Sequence, residues 1–474
     1  MKIYNIIVGL IFALNLGAQD SLNYYLLQAA RNNPGVMQKY QEYLAALQKV
    51  PQAGGLPDPQ INLGILLSPM ELVSGNQLAE IQLMQMFPWF GTLRAAKDEM
   101  SLMANARFET FRDTKLQLFY DVQSTWYELY KLQQEISVSK KNLDLLRSIE
   151  RLSLVKFTTT PAGGSTTSQS GAPRQSGDSR TTSGISSGMS SMTGNAPAQG
   201  GASTAQVPSS MQGSNMGSST GSSGLADLYR VQMEIGDLEN NIILLIHQQN
   251  TIMAKFNSYL NRPSLTPVFL PDTLNPDTLG LPLQAVEDSM LSRHPMLGML
   301  DYEKQSLESR KKMVSRMSYP MIGLGLNYSV INKSEMSTSE MNGKDMIMPM
   351  VSVSLPIYRK KYRAMKLEAD YLKTASEHNY EVVANNLKTD YYKAVQQYED
   401  ARRRVTLYTS QSMLAQKSLD IMIRNFAASG SGLNEILRLR QQTLDYGYRQ
   451  AEAVADFSTA IAWLKRLMAS QQIL

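Results

Sequence analysis

Apolar and polar positions alternate strictly along two stretches in the second half of this 474-residue chain. Ile322, Leu324, Leu326, Tyr328 and Val330 are separated by Gly323, Gly325, Asn327 and Ser329. After a polar loop from Lys333 to Lys344, Val351, Val353 and Leu355 are separated by Ser352 and Ser354. A period of two puts one set on each face of a β-strand. Strands are therefore predicted over about 320-331 and 346-355, each with one apolar face and one small or polar face. The first half shows the same alternation more weakly, as Ile61, Leu63 and Ile65, and then as Ile81 and Leu83 among Glu80, Gln82 and Gln85.

Two other stretches read as helices of unusual length. Neither Pro nor Gly occurs in the 66 residues from Thr92 to Phe157 or the 69 from Tyr358 to Phe426. At 1.5 Å per residue each makes a rod of roughly 100 Å, far beyond an ordinary globular helix. Each rod is followed by a return helix, Leu225 to about Asn261 and Leu433 to about Ser470.

The two halves follow one plan. Pro34 and Pro295 each precede a second proline, Pro59 and Pro320, by 25 residues, and Gly64 and Gly325 each follow that proline by five. Leu93-Arg94-Ala95-Ala96-Lys97 matches Tyr362-Arg363-Ala364-Met365-Lys366, shortly after Pro88 and Pro356 respectively. Ser223-Gly224-Leu225-Ala226-Asp227-Leu228-Tyr229-Arg230-Val231 matches Ser431-Gly432-Leu433-Asn434-Glu435-Ile436-Leu437-Arg438-Leu439. Three matches in one order imply an internal twofold repeat. The predicted organisation is a signal peptide over 1-18, a first repeat over 19-157, an insertion over 158-222 and a return helix over 223-261. A linker over 262-282 leads to a second repeat over 283-474, with its long helix at 358-426 and its return helix at 433-470.

The N-terminus changes the picture more than bulk composition does. Lys2 precedes an apolar run from Ile6 to Leu14 that ends in Leu16-Gly17-Ala18, the pattern of a secretory signal. That run is too short to span a bilayer as a helix, and no longer apolar run occurs. Cysteine is absent, so disulfides, thiolate metal sites and a lipidated N-terminal cysteine are not expected. The net charge of +5 is interspersed with acids and gives no reason to expect nucleic acid.

Strands of about ten residues suffice to cross a bilayer when tilted, provided they close into a barrel without edges. Small single-chain membrane barrels need about eight strands, so four would have to be completed by further copies of the chain. Two soluble hairpins packed on helices would give the same alternation. The long rods favour the barrel, because helical hairpins of that size attached to such strands suit a protein that spans one membrane and projects deep into the periplasm.

On these features the sequence resembles the TolC-like outer-membrane efflux protein family. The likeness runs from about Asp20 to the C-terminus, apart from the insertion. Its most specific segments are Leu56-Pro57-Asp58-Pro59, Phe87-Pro88-Trp89-Phe90-Gly91 and the turn from Phe426 to Leu437. The resemblance implies an α+β membrane protein. Three protomers would share a 12-stranded transmembrane β-barrel, four strands each, continued by a long periplasmic α-helical barrel. It further implies a homotrimer in outer-membrane lipid that works with a periplasmic adaptor and an inner-membrane pump of the resistance-nodulation-division (RND) type. The Pro-Asp-Pro and Pro-Trp-Phe-Gly segments are most similar to the subgroup serving heavy-metal pumps. Pro88, Gly91 and Pro356 stand where a strand must hand over to a rod, and chain geometry alone accounts for them.

The resemblance places the periplasmic entrance at the turns between rod and return helix. It assigns Asp227 and Glu435 to rings of carboxylates, with Arg230 and Arg438 one turn further on. Gly224, Leu225, Gly432 and Leu433 would form the tip turns that meet the adaptor. Acids in a helix's first turn also complement the macrodipole, and Arg230 and Arg438 are placed to pair with Asp227 and Glu435 as i, i+3 neighbours. Both readings stay open. The tips are unequal: six positions separate Phe426 from Gly432, whereas 67 separate Phe157 from Gly224. The additional residues, about 61, are mostly Ser, Gly, Thr, Ala, Gln and Pro and cannot build a core. Met189, Met192, Met211 and Met216 within them are either soft-metal ligands or incidental among 28 methionines.

Catalysis has little support. His247, His294 and His378 lie in helical or helix-leading segments, without metal-ligand spacing. No nucleophile elbow or phosphate loop occurs at a strand-helix junction. Neither an enzyme, a resident metal nor a cofactor is expected. Two rivals remain: a periplasmic coiled-coil structural or adaptor protein without a barrel, and a duct that carries drugs or secreted proteins.

Overall fold

The computed structural model describes residues 22–72, 74–159, 223–274, 283–336, 338, 340–429 and 432–469. The expected signal peptide, almost all of the insertion and much of the linker lie outside the described residues. The elements are α1 (Leu22–Asn32), α2 (Pro34–Gly54), β1 (Gln60–Leu72), β2 (Gly75–Phe87), α3 (Thr92–Thr159) and α4 (Ser223–Tyr259). They continue as α5 (Leu283–Arg293), α6 (Pro295–Met317), β3 (Met321–Asn332), β4 (Met346–Ser354), α7 (Arg359–Ser429) and α8 (Leu433–Leu467). The order helix, helix, strand, strand, long helix, helix thus occurs twice. The long helices α3 and α7 have 68 and 71 residues. Contacts divide the chain into two units, Met1–Leu143 with Leu238–Leu474, and Asp144–Asp237.

Within the first unit, two apolar cores form around the middle stretches of α3 and α7. Tyr25, Leu26 and Ala29 of α1, Val36 of α2 and Phe256 of α4 gather around Leu118, Phe119, Val122, Trp126 and Leu129 of α3. Phe256 meets Tyr25 edge to face at 5.2 Å, a favourable aromatic arrangement. Around α7, Val286, Met290 and Leu297 join Leu387, Tyr391, Ala394, Leu464 and Leu467. The short helices therefore clamp the long ones partway along instead of extending them.

The paired Pro34 and Pro295 act as helix starters. Each occupies the first turn, where a missing N–H costs nothing. The residue before each is the N-cap. The Asn33 side-chain oxygen accepts from the Gly35 and Val36 backbone amides at 2.9 and 3.2 Å, and its side-chain Nδ2 donates to the Tyr259 carbonyl at 3.0 Å. His294 accepts from the Met296 amide through Nδ1 at 3.2 Å.

The strands form one antiparallel sheet in the order β1-β2-β3-β4. Register aligns Ile61, Leu83, Leu326 and Pro349 in one row, and Leu63, Ile81, Tyr328 and Ile347 in the next. These rows share a face with Leu324, Val351, Ile322 and Val353, and the face is open: Ile65 is 79% exposed and Val351 71%. The opposite face carries Asn62, Gln82, Asn327, Glu80 and Ser329. Its Asn327 side-chain amide donates to Glu80. The strands begin and end within a residue or so of expectation in β3 and β4. Shifts of register between Ile65 and Met70 and between Gln77 and Ala79 break the alternation in β1 and β2, which explains its weakness there.

The junction from β2 to α3 is a tight corner. The Gly91 carbonyl accepts from the Ala95 amide at 3.0 Å, which starts the helix, and Trp89 stacks on Tyr319 at 5.3 Å. Gly91 has φ +79°, and a Cβ there would overlap the Arg316 guanidinium. That guanidinium donates to the Phe90 carbonyl at 2.8 Å. At the β4–α7 junction, Pro356 is followed by a short turn in which the Arg359 amide donates to the Ile357 carbonyl at 2.9 Å.

Two predictions follow from this packing. Gly91→Ala meets both the positive φ and the Arg316 side chain, so it destabilises by about 1–3 kcal/mol. Gly236→Ala, in mid-helix with open space around it, stabilises by about 0.5–1 kcal/mol. Thermal unfolding of the two variants should move in opposite directions, and a common direction would contradict this geometry. The second prediction concerns His294, which burial and then the Arg466 charge hold at about 4, against 6.5 for a free ring. Because the unfolded ring takes up a proton first, stability is lost as pH falls from 6.5 toward 4, by up to about 3 kcal/mol. Asp113 and Asp121, raised mainly by burial, act in the opposite sense but cancel between variant and parent. His294→Asn keeps a capping acceptor and cannot protonate, so its thermal midpoint should fall less than the parent's over that pH window.

Candidate functional site

The tip residues belong to different units, and each tip has its own geometry. In the first unit, α8 starts at Gly432, an N-cap with φ +100° and no side-chain hydrogen bond. A left-handed backbone of this kind favours glycine. Leu433, Ile436 and Leu437 are buried, as is Phe426 near the end of α7. Glu435 and Arg438 are exposed on the other side of α8. Glu435 is the acid of the helix's first turn, so its position fits both a macrodipole partner and an entrance charge.

In the second unit, α4 already begins at Ser223, so Gly224 lies inside the helix and is not a cap. Asp227 then falls beyond the first turn, and the macrodipole accounts for it less well than for Glu435. It is half-buried and Arg230 is exposed. Leu228 and Val231 are buried here, as are Leu146 and Ile149 of α3, and Gln232 donates to Glu150 at 2.9 Å. Leu225 is exposed where its counterpart Leu433 is buried. The two matching leucines therefore serve differently: Leu433 anchors its helix, whereas Leu225 is presented.

Pro88, Gly91 and Pro356 stand at the corners where the sheet meets the long helices. Exposed Phe90, Tyr319 and Tyr358 lie at the same end of the sheet. Sequence reading did not single out the half-buried polar cluster in the first unit, where Arg466 lies over the Tyr120 ring at 5.8 Å and its charge acts on Asp113, Asp121 and buried His294. Nor did it single out Tyr448, which shares its hydroxyl with Ser139 at 2.5 Å and accepts from Asn241 at 3.1 Å, tying α8 to α3 and α4. Polar residues in mid-helix look like surface in a sequence, and only packing shows that they are not. Among the described residues, no helix is long and apolar enough to cross a membrane, and no group of three or more His, Cys, Asp or Glu is placed to hold a metal.

No protein-family model matches the chain, and no curated protein is significantly similar to it. Solved structures do match over nearly the whole length. The outer-membrane channel OprN aligns at TM-score 0.67 with 12% identity, covering 94% of this chain and 89% of that one. The outer membrane protein VceC of Vibrio cholerae aligns at 0.66 with 10% identity, covering 94% and 96%. CusC, described for its transmembrane channel formation, aligns at 0.66 with 11% identity, covering 95% and 92%. The chain has the fold of these outer-membrane channel proteins.

Proposed function

We propose that this chain is the outer-membrane exit duct of a tripartite efflux pump. Three copies share a twelve-stranded barrel, and their long helices form a periplasmic tunnel that receives cargo from an inner-membrane transporter through an adaptor. One observation carries this reading above the others: a four-stranded sheet with two unpaired edges and a fully open apolar face sits at the end of two very long helices. In water such a sheet is an aggregation template. In lipid the apolar face is solvated, but the edges must be paired, which further copies of the same sheet accomplish. The likeness in fold to outer-membrane channels supports the same conclusion.

A periplasmic rod without a barrel is disfavoured by the apolar face, which nothing in the chain covers among the described residues. The segments Pro57-Asp58-Pro59 and Pro88-Trp89-Phe90-Gly91 support heavy-metal cations such as copper or silver as the cargo. At the tips, tripling Asp227 and Glu435 gives carboxylate rings that favour cations, with Arg230 and Arg438 behind them. Exposed Leu225 is the better adaptor contact of the two tip leucines, while Gly224, Gly432 and Leu433 shape the turns.

Fractionation tests the main claim. The protein should remain with outer membranes and migrate from detergent as a heat-modifiable trimer, whereas release with soluble proteins would overturn the reading. Charge reversal at Glu435 or Asp227 should lower the cation preference of single channels, read as a shift in reversal potential across a salt gradient. An unchanged potential would reduce that acid to a helix-end residue.

A further inference from the structure

The polar face of the sheet holds an unexpected class of side chain. Four rows of register cross it: Met86–Gly323–Ser352, Gln60–Met84–Gly325–Met350, Asn62–Gln82–Asn327–Met348 and Gly64–Glu80–Ser329–Met346. Every apolar side chain in these four rows is a methionine, and Ile331 appears on this face only in the next row, beside Gln77, whereas Ile, Leu and Val dominate the other face. Had this face only needed filling, β-branched residues would suit a strand better. A thioether is distinguished from them by a polarizable sulfur with a lone pair.

The sulfurs are also brought together. The Ser352 hydroxyl lies 3.6 Å from the Met84 sulfur and 3.8 Å from the Met86 sulfur. Between them runs β3, which has no side chain at Gly323 or Gly325. A Cβ at Gly323 would overlap both the Ser352 hydroxyl and the Met86 sulfur, so the space left by the glycine is where those two groups meet. Met350 stands in the same row as Met84, on the far side of Gly325. The two glycines thus leave the middle strand without side chains where the Met84 and Met86 sulfurs meet the Ser352 hydroxyl, with Met350 in register beside them.

We infer that Met84, Met86 and Met350, with Ser352 beside them, form a binding site for a soft monovalent cation of the Cu(I) or Ag(I) type. Thioethers are neutral and soft, so they select d10 monovalent ions and cannot replace the water shell of Mg²⁺ or Ca²⁺. Further along the face, Met348 and Met346 continue the series beside the Glu80 carboxylate. This gives a cation successive places to rest, each weak enough to leave. The inference deepens the duct reading, on which it relies only for placing this face toward the lumen. Cation binding itself depends on the sulfurs alone.

Full-length protein in detergent, titrated calorimetrically with Ag(I), tests the site. The triple variant Met84→Leu, Met86→Leu, Met350→Leu keeps volume and apolarity and should bind at least about tenfold more weakly, the scale of loss when a metal site's shell is damaged. The control Met37→Leu, Met233→Leu, Met413→Leu removes three exposed methionines from helices and should bind as the parent does. Equal Ag(I) affinity in parent and triple variant, or no binding by a parent that is a heat-modifiable trimer, would overturn the site while leaving the duct intact. Sulfur-dependent binding by a water-soluble monomer would retain the site and remove the duct.

Discussion

The constraint on which the rest of this molecule depends is the unfinished state of its sheet. Four strands present a continuous apolar face to the surroundings, and among the described residues no strand pairs with the outer edge of β1 or β4. Neither condition is tolerable alone: hydrocarbon can cover the face but cannot pair the edges. The long helices have a related incompleteness. Buried positions recur along both, from Ala95 to Ser153 on α3 and from Ala369 to Phe426 on α7, yet α7 shows much of its remaining surface. Helical stability comes mostly from packing of an apolar face, and beside the face that α6 and α8 cover, Tyr371, Tyr392, Leu414 and Ile421 of α7 stand exposed. In the proposed duct, sheet and helices find the same remedy, further copies of the chain.

The corners between them convert one architecture into the other. A strand's side chains alternate while a helix's turn, so the backbone must change direction sharply without leaving polar groups unpaired. Gly91 does this with a left-handed turn whose carbonyl starts α3 and whose missing side chain leaves room for Arg316 to reach the Phe90 carbonyl. The second corner uses Pro356 and two short turns instead. The two solutions differ because only the first brings a partner from α6 against the bend.

Much of this was legible from residue order. The alternation at Ile322 to Val330 placed β3 because neither β3 nor β4 carries a bulge, and the absence of Pro and Gly from Thr92 to Phe157 marked α3. The paired prolines at 34 and 295 were visible as a repeat, and the structure gives their reason, an N-cap followed by a residue that lacks an N–H. Other features stayed hidden for physical causes. His294 looked like any histidine at a helix start, since its burial and the nearby Arg466 charge arise from packing of distant segments. The methionines of the sheet were overlooked because Met counts as apolar, yet Met346, Met348 and Met350 fall on the same parity as Ser352 and Ser354. That parity was the available signal. At the two turns the matching Leu225 and Leu433 were visible as a repeat, but the exposure of one and burial of the other were not, because they depend on where each helix begins.

The central claim is that β1 of one copy pairs with β4 of the next, and the absence of cysteine from the chain makes it directly measurable. Within one protomer these strands are separated by two others, roughly 14 Å at ordinary strand spacing, beyond the Cα separation of about 7 Å that a disulfide tolerates. A single cysteine placed in β1, combined in turn with cysteines along β4 and oxidised in the membrane, should give a covalent species of three chains at positions of one parity. Cross-links confined to one chain, or none at any position, would contradict the shared barrel.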